Sequence, residues 1–431
     1  MAMHDDMQLQ AHAEQALAMM RAAGFDDAQV TATRLDLDEL NVNHNEPSLL
    51  RSTSSAKLSL MGIVDGRMAS TETTQFDAES MRECAEALFA DAKSAPQDAA
   101  NAVSRGQSAR IVQGPQEGSR DMLARTVKDL LDYRVKETPR MMIDEGEASH
   151  RLVRWHTLTT GGSDIAGRLG WYSAGAFGTA REGKKSSSFN YTGGTTHDLC
   201  AQPVHEQFGI GAMLRDTERQ IETAPFAGKF VGDVVLMPNA AEDLLQWFLG
   251  QLSDMQLIAR SSLYRESVGE AVASKLLTIR SRFDAPGVAA VSGDAFVAKP
   301  VTLVEQGVLR TLTPTLYGSR KTGLPHVPVA GGGWDVAPGD TPLAALIGRV
   351  QRGALVGRLS MGMPAPNGNF SGVIKNSFAI EGGEVRHALA ETMITGNMGR
   401  MLQDIVGVSR ETQDGTGWRL PWLAIANLHF S

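Results

Sequence analysis

Cysteine is nearly absent from this 431-residue chain, which has only Cys84 and Cys200. Two thiols make no disulfide framework, so a reducing, cytoplasmic compartment is the expectation. Cys84 falls on an amphipathic helical stretch and reads as a small core residue. Aromatic residues are also sparse, at 6%. Positive charge is not in excess, since 41 basic against 49 acidic residues leave a formal −8. The two densest basic clusters, Arg181 to Lys185 and Ser319 to Lys321, are short and not interleaved with aromatics. Phosphate neutralisation supplies much of the affinity for nucleic acid, so both clusters read as solvated loops and nucleic acid is not an expected partner. Long apolar runs are missing as well. Stretches such as Leu244 to Leu252 fall far below the roughly 20 residues of a membrane span. The N-terminus lacks the basic and apolar regions of a secretory leader. Nothing here is expected to span a membrane.

What is present is ordinary globular composition, 42% hydrophobic and 21% charged, on a chain long enough for two or three domains. Leu9, Ala13, Ala16, Leu17 and Met20 recur at helical steps, with Gly24 placed to end the helix. Val30 to Leu37 alternates as a half-buried strand. Lys57 to Val64, Asp65-Gly66 and Arg67 to Thr73 spell a hairpin. Asp77 then offers a cap for a helix to about Ala92. Residues 94 to 118, rich in small and polar groups, read as a connector. Ser119 can cap a second long helix, followed by strand-like segments 141–147, 151–158, 169–177 and 186–191. This order echoes the first unit and suggests a diverged duplication.

From Gly228 the texture changes to short strands and Gly-rich turns. Val231 to Met237 feeds Asn239, read as the cap of an apolar helix from Ala240 to about Leu252. Hairpins follow at 301–312 and 371–388. Thr341 and Pro342 start a helix expected to stop at Gly353, and Trp422 to Phe430 ends the chain as a strand. The expected fold is α+β, with domains at 1–116 and 117–227 and a β-rich domain at 228–431.

Several segments of the last domain together resemble the TldD/PmbA peptidase family: Val234-Val-Leu-Met-Pro-Asn with its apolar helix, the stretch 301–323 (VTLVEQGVLRTLTPTLYGSRKTG), and 369–409 (NFSGVIKNSF…GNMGR…VGVS). The N-terminal layout fits too, so the resemblance covers essentially the whole chain. The TldD type carries HExxxH on that helix. Its two imidazoles and a Cys bind the metal, and its Glu acts as general base on a metal-bound water. Counting from the strand places Gln246 and Gln251 at the two His positions and Trp247 at the Glu position. Amides are poor ligands for such an ion, and Trp neither binds metal nor takes a proton. The C-terminal region also has no Cys. This pattern is that of the PmbA (TldE) branch. The resemblance implies a non-catalytic subunit, without a cofactor of its own, that pairs with a TldD-like catalytic chain to degrade or process peptides. The family's older label, modulator of DNA gyrase, gains nothing from this chain's charge. The alternative is a stand-alone, self-associating protein that holds peptides or a small ligand.

Other candidates for chemistry are weaker. His205-Glu206 is the one HE dipeptide, but positions 209 and 210 are Gly and Ile, not the second His of a zincin. Cys200, His205 and Glu206 could make a small metal cluster or an independent hydrolase, although packing is the commoner role of such residues. His150 and His156 share a strand face but lie about 20 Å apart at ~3.3 Å per residue. The run Ala330 to Trp334 lacks the Lys-Ser/Thr of a phosphate loop and reads as a flexible loop or a channel wall. Trp247 and Gln251 read as core or, alternatively, as interface. The strand around Asn369, Phe370, Ser371 and Gly372 is the candidate edge for pairing with a peptide backbone.

Overall fold

The computed structural model describes residues 2–329 and 332–431, with side chains from Asp6 onward. Ala330 and Gly331, two of the five residues of the expected Gly-rich loop Ala330 to Trp334, lie outside it. Among the described residues the strands form two sheets, one of eight and one of 14 strands, flanked by helices. The fold is α+β.

The first sheet is built from two successions of the same elements. Helix Ala2–Ala23 leads to strands Asp27–Asn43, Glu46–Val64 and Arg67–Thr73 and then helix Ala78–Ser94; helix Arg120–Glu137 leads to strands Met141–Thr159, Asp164–Glu182 and Asn190–Thr196 and then helix Ile210–Arg219. The two halves join edge to edge, because Asp27–Asn43 pairs antiparallel with Met141–Thr159 through Leu35 opposite Val153. Residues 1–116 and 117–227 therefore contribute to one continuous sheet. The segments expected as separate strands at 141–147 and 151–158 are a single strand.

Local signals explain these elements. Asp77 and Ser119 accept hydrogen bonds from the backbone N–H groups of Ser80 and Met122 at the helix starts, satisfying donors that a first turn leaves free. Gly24 ends the first helix at φ +102°, a conformation that suits a residue without Cβ. Leu9, Ala13, Ala16, Leu17 and Met20 pack on Val30, Ala32, Leu58 and Leu60. Leu123, Val127 and Leu130 do the same for Met141, Ile143 and Tyr172 in the second half.

Several expectations need correction. The connector 94–118 contains strand Ser108–Gln113, which runs parallel to residues 164–169 at the sheet edge. One neighbour suffices for an edge strand, so its sequence carries little apolar signal. Ser319 to Lys321 is no solvated loop. It closes helix Leu316–Thr322, where Lys321 pairs with Asp98 at 2.7 Å and Arg320 donates to the Ala99 carbonyl at 2.7 Å. The helix expected to run to Gly353 spans only Leu343–Ile347. Gly353 lies in strand Arg352–Val356, where a Cβ would stand 1.8 Å from the Asp233 carbonyl oxygen.

The second sheet centres on strand Phe230–Leu236, parallel to Arg352–Val356 and antiparallel to Trp418–Phe430. Val234, Val235 and Leu236 are fully buried. Helix Pro238–Gln251 follows. It starts before the expected cap, because Pro238 occupies the first turn and Asn239 is already helical. Proline suits that place, having a preset φ and no N–H to satisfy.

Candidate functional site

Helix Pro238–Gln251 has two faces set by its sequence. Ala240, Ala241, Leu244, Leu245, Phe248 and Leu252 pack into the core of the second sheet. Asn239, Glu242, Asp243 and Gln246, spaced three and four apart, line a cavity of about 1070 Å³. The i, i+3, i+4, i+7 spacing puts these four polar groups on one stripe.

The opposite wall comes from the second half of the first sheet: Glu145 to Glu147, Arg151, Trp171, Ser173 to Phe177 and Asn190 to Thr195. Asn41 to Asn43, Ser48 and Leu49, around the turn between the first two strands, reach its rim. Gly357, Arg358, Thr416 and Trp418 complete it from the C-terminal domain. Hydrogen bonds tie the walls together. Thr195 Oγ1 donates to the Pro286 carbonyl at 3.0 Å, and Gln113 Nε2 donates to that of Phe283 at 2.8 Å.

The cavity charges are unequal in their commitments. Arg151 donates to Ser173 Oγ at 3.3 Å and lies 3.9 Å from Glu147. Arg358 stacks on Phe189 and Tyr191, its Cζ 4.2 and 5.7 Å from the ring centroids. Burial pushes the Asp243 carboxyl up to about 6, although the Leu359 backbone N–H and Arg358 pull the other way. Burial raises Glu242 as well, and the Asp243 charge adds to it. Desolvation disfavours the charged form, so the helix presents carboxyls that hold protons more tightly than free ones.

The three positions matched to the metal motif do not converge. Gln246 faces the cavity and donates to Glu242 Oε1 at 3.4 Å. Gln251 is 4% exposed, and its Oε1 accepts the Leu263 backbone N–H at 3.0 Å. Trp247 packs edge-on against Tyr264, centroids 6.3 Å apart, and lies beside Gly368. This donor set has no imidazole, thiolate or carboxylate at those three positions, and one of its amides is already engaged. It does not fit a zinc-like ion. Among the described residues no group of three His, Cys, Asp or Glu side chains is placed to hold one.

The other candidates are not brought into the cavity. His205 stacks on Tyr133 at 4.3 Å, its Nδ1 3.6 Å from Asp129, while Glu206 and Cys200 are exposed. His150 is buried and bonded to the Pro115 carbonyl, and that burial lowers its pKa. His156 bonds Asp164 at 2.8 Å. Asn369, Phe370, Ser371 and Gly372 begin strand Asn369–Lys375, which has a strand on both sides only from Gly372 onward. It lies between Arg358–Met361 and Thr392–Asn397. Gly372 already has a partner on each side, in Met361 and Ile394, and the Asn369 carbonyl accepts the Ala365 N–H at 2.8 Å. Asn397 is structural. It caps the next helix through Arg400 N and holds the 367–369 turn.

Glu242, Asp243, Arg358, Phe189 and Tyr191 escaped the sequence reading. The polar stripe 239, 242, 243, 246 on an otherwise apolar helix was a legible signal for the first two. Arg358 and the aromatic pair meet only through tertiary packing.

The family model for the PmbA/TldA metallopeptidase C-terminal domain matches residues 228–431. The metalloprotease PmbA homolog of Haemophilus influenzae is 26% identical over 195 residues, which cover 42% of this chain and 41% of that protein. That match therefore spans about two fifths of the relative's length. The crystal structure of TldE from Thermococcus kodakarensis superposes with a TM-score of 0.82 at 20% identity, covering 97% of this chain and all of that one. A Bacteroides thetaiotaomicron protein, named as a proposed modulator of DNA gyrase, gives 0.83 at 19% identity over 98% of each chain. At these identities the two structures speak for the fold alone. Residues 228–431 thus match the C-terminal domain of the PmbA/TldA metallopeptidase family, and the chain as a whole shares the fold of TldE.

Proposed function

We propose that the chain is a non-catalytic, peptide-holding subunit of a TldD/TldE-type metallopeptidase working in the cytoplasm. The observation that carries this reading is the helix Pro238–Gln251. It keeps the family's position behind the central strand and faces a cavity large enough for several residues of peptide, yet its Gln246, Trp247 and Gln251 offer no ligand set. A cavity with mixed polar and aromatic lining suits an extended chain with polar backbone and varied side chains. Bond cleavage then falls to a sister chain bearing HExxxH, which would place its metal against a peptide held here.

The test is isolation of the tagged chain from its native cells. Stoichiometric recovery with an HExxxH-bearing relative, and peptide hydrolysis by the pair but not by this chain alone, is the expected outcome. A stable homo-oligomer with no such relative would favour the stand-alone peptide- or ligand-binding protein instead. Steady hydrolysis by the purified single chain would overturn both, and Cys200→Ala, His205→Ala and Glu206→Gln would then be the first variants to assay.

A further inference from the structure

Arg358 is the cavity cation without a carboxylate partner. Its neighbour in the cavity, Arg151, is engaged by Ser173 and Glu147. Arg358 makes no hydrogen bond or ion pair among the described residues, and its Nε is buried without a partner. What holds it is cation–π contact, its Cζ 4.2 Å from the Phe189 centroid. Phe189 and Tyr191 lie nearly parallel, at 18° with centroids 6.5 Å apart, and Phe177 extends the row at 5.4 Å from Phe189. Phe189 and Tyr191 are themselves 43% and 49% exposed. Stacking uses the face of a guanidinium and leaves its N–H edge free. A planar fork of donors fixed in that way matches the two oxygens of a carboxylate.

Resting on the peptide-holding reading above, we propose that Arg358 receives the C-terminal carboxylate of a bound peptide, with Phe177, Phe189 and Tyr191 as the wall along which the peptide's last residues lie.

The other cavity charges narrow the ligand. Glu145, Glu147, Glu242 and Asp243 surround the same space, so a polyanion is repelled while a ligand with one carboxylate and cationic or neutral groups is not. Burial raises the Asp243 carboxyl and the Arg358 charge pulls it down against that effect, but the two form no ion pair among the described residues. A C-terminus is common to every unmodified linear peptide, so this contact fixes the direction of the chain without selecting its sequence.

Isothermal titration of the full chain with two pentapeptides, identical except for a free acid or an amide at the C-terminus, tests the proposal. The free acid is expected to bind at least tenfold tighter. Arg358→Gln should lower the free acid to the level of the amide and leave the amide within twofold of its wild-type value. Arg358→Lys, which keeps the charge but not the fork, should fall between and guards against a folding defect in the Gln variant. Equal binding of acid and amide by the wild type would overturn the role of Arg358 and leave the peptide-holding reading intact. Equal loss of both peptides in a well-folded Arg358→Gln would do the same. Binding of neither peptide by the wild type would overturn both.

Discussion

The two halves of the first sheet share their succession of elements and differ in what covers them. In the first, strand Glu46–Val64 is exposed along its opening residues, and only Ser48 and Leu49 from it reach the cavity. In the second, strand Asp164–Glu182 is buried or half-buried up to Ala180 and gives the cavity Trp171 and Ser173 to Phe177. Composition accounts for the difference. Residues 52–55 of the first strand are Ser and Thr, whereas residues 173–176 of the second are Ser-Ala-Gly-Ala, with Gly170 and Gly178 nearby. Small side chains let other backbone approach. A Cβ at Gly170 would stand 1.7 Å from the Pro115 carbonyl oxygen. The same topology thus yields a solvent-facing arm in one half and a ligand wall in the other.

The sharpest way to break the comparison is to substitute the seventh residue of each matching strand. Gly170→Ala must displace backbone and is expected to cost about 3 kcal/mol, as overpacking does. Ser52→Ala, at an exposed position, should stay within about 0.5 kcal/mol. Urea unfolding of both variants measures this, and similar losses would show that the halves are equally packed.

A smaller effect is expected at the wall itself. Phe189→Leu removes the ring under Arg358 and should cost about 1 to 2 kcal/mol of stability, the range of a partly desolvated cation–π contact. Tyr133→Leu, which stacks His205 outside the cavity, serves as the comparison in the same thermal melts. It should leave peptide binding unchanged.

Asp243 gives a pH-dependent prediction. Its folded carboxyl titrates at about 6, above the ordinary 3.8, so the folded state binds the proton more tightly than the unfolded one. Stability from this group is present below pH 3.8 and declines as pH rises through 6. Asp243→Asn should therefore be more stable than wild type by about 1 kcal/mol at pH 7.5, after discounting for partial exposure, with the gap closing near pH 4. A gap that widens toward acid in unfolding curves would contradict the assignment.

The least effect is expected where the first half meets helix Leu316–Thr322. Asp98 pairs with Lys321 at 2.7 Å and accepts from Tyr317 Oη at 2.9 Å. Lys321 is the chief reason that its carboxyl falls to about 2. Folded below its unfolded value, it stabilises above pH 3.8 and loses that contribution as pH falls toward 2. Asp98→Ala should cost no more than ~0.5 kcal/mol at neutral pH, as exposed ion pairs do, and less at pH 2. Thermal melts at the two pH values check it.

Much of the fold was legible because its signals are local. Asp77 and Ser119 cap helices, Asp65-Gly66 turns a hairpin, and the apolar face from Leu9 to Met20 is buried. The repeated order of helix and strands was legible too. Features set by distant partners were not. Strand Ser108–Gln113 depends on residues 164–169, and the inner position of residues 372–374 depends on two strands lying before and after them in the chain. The site divides in the same way. The unsuitability of Gln246, Trp247 and Gln251 as metal ligands followed from their chemistry. Arg358 over Phe189 joins residues 169 positions apart, and no sequence period records that meeting.

Helix Pro238–Gln251 offers its cavity no metal-ligand set at Gln246, Trp247 and Gln251. Elemental analysis of the purified chain, after dialysis against a mild chelator, tests it most directly. The expected result is far less than one transition-metal ion per chain and no change in melting temperature on dialysis. About one tightly held zinc per chain, lost together with stability under stronger chelation, would contradict it.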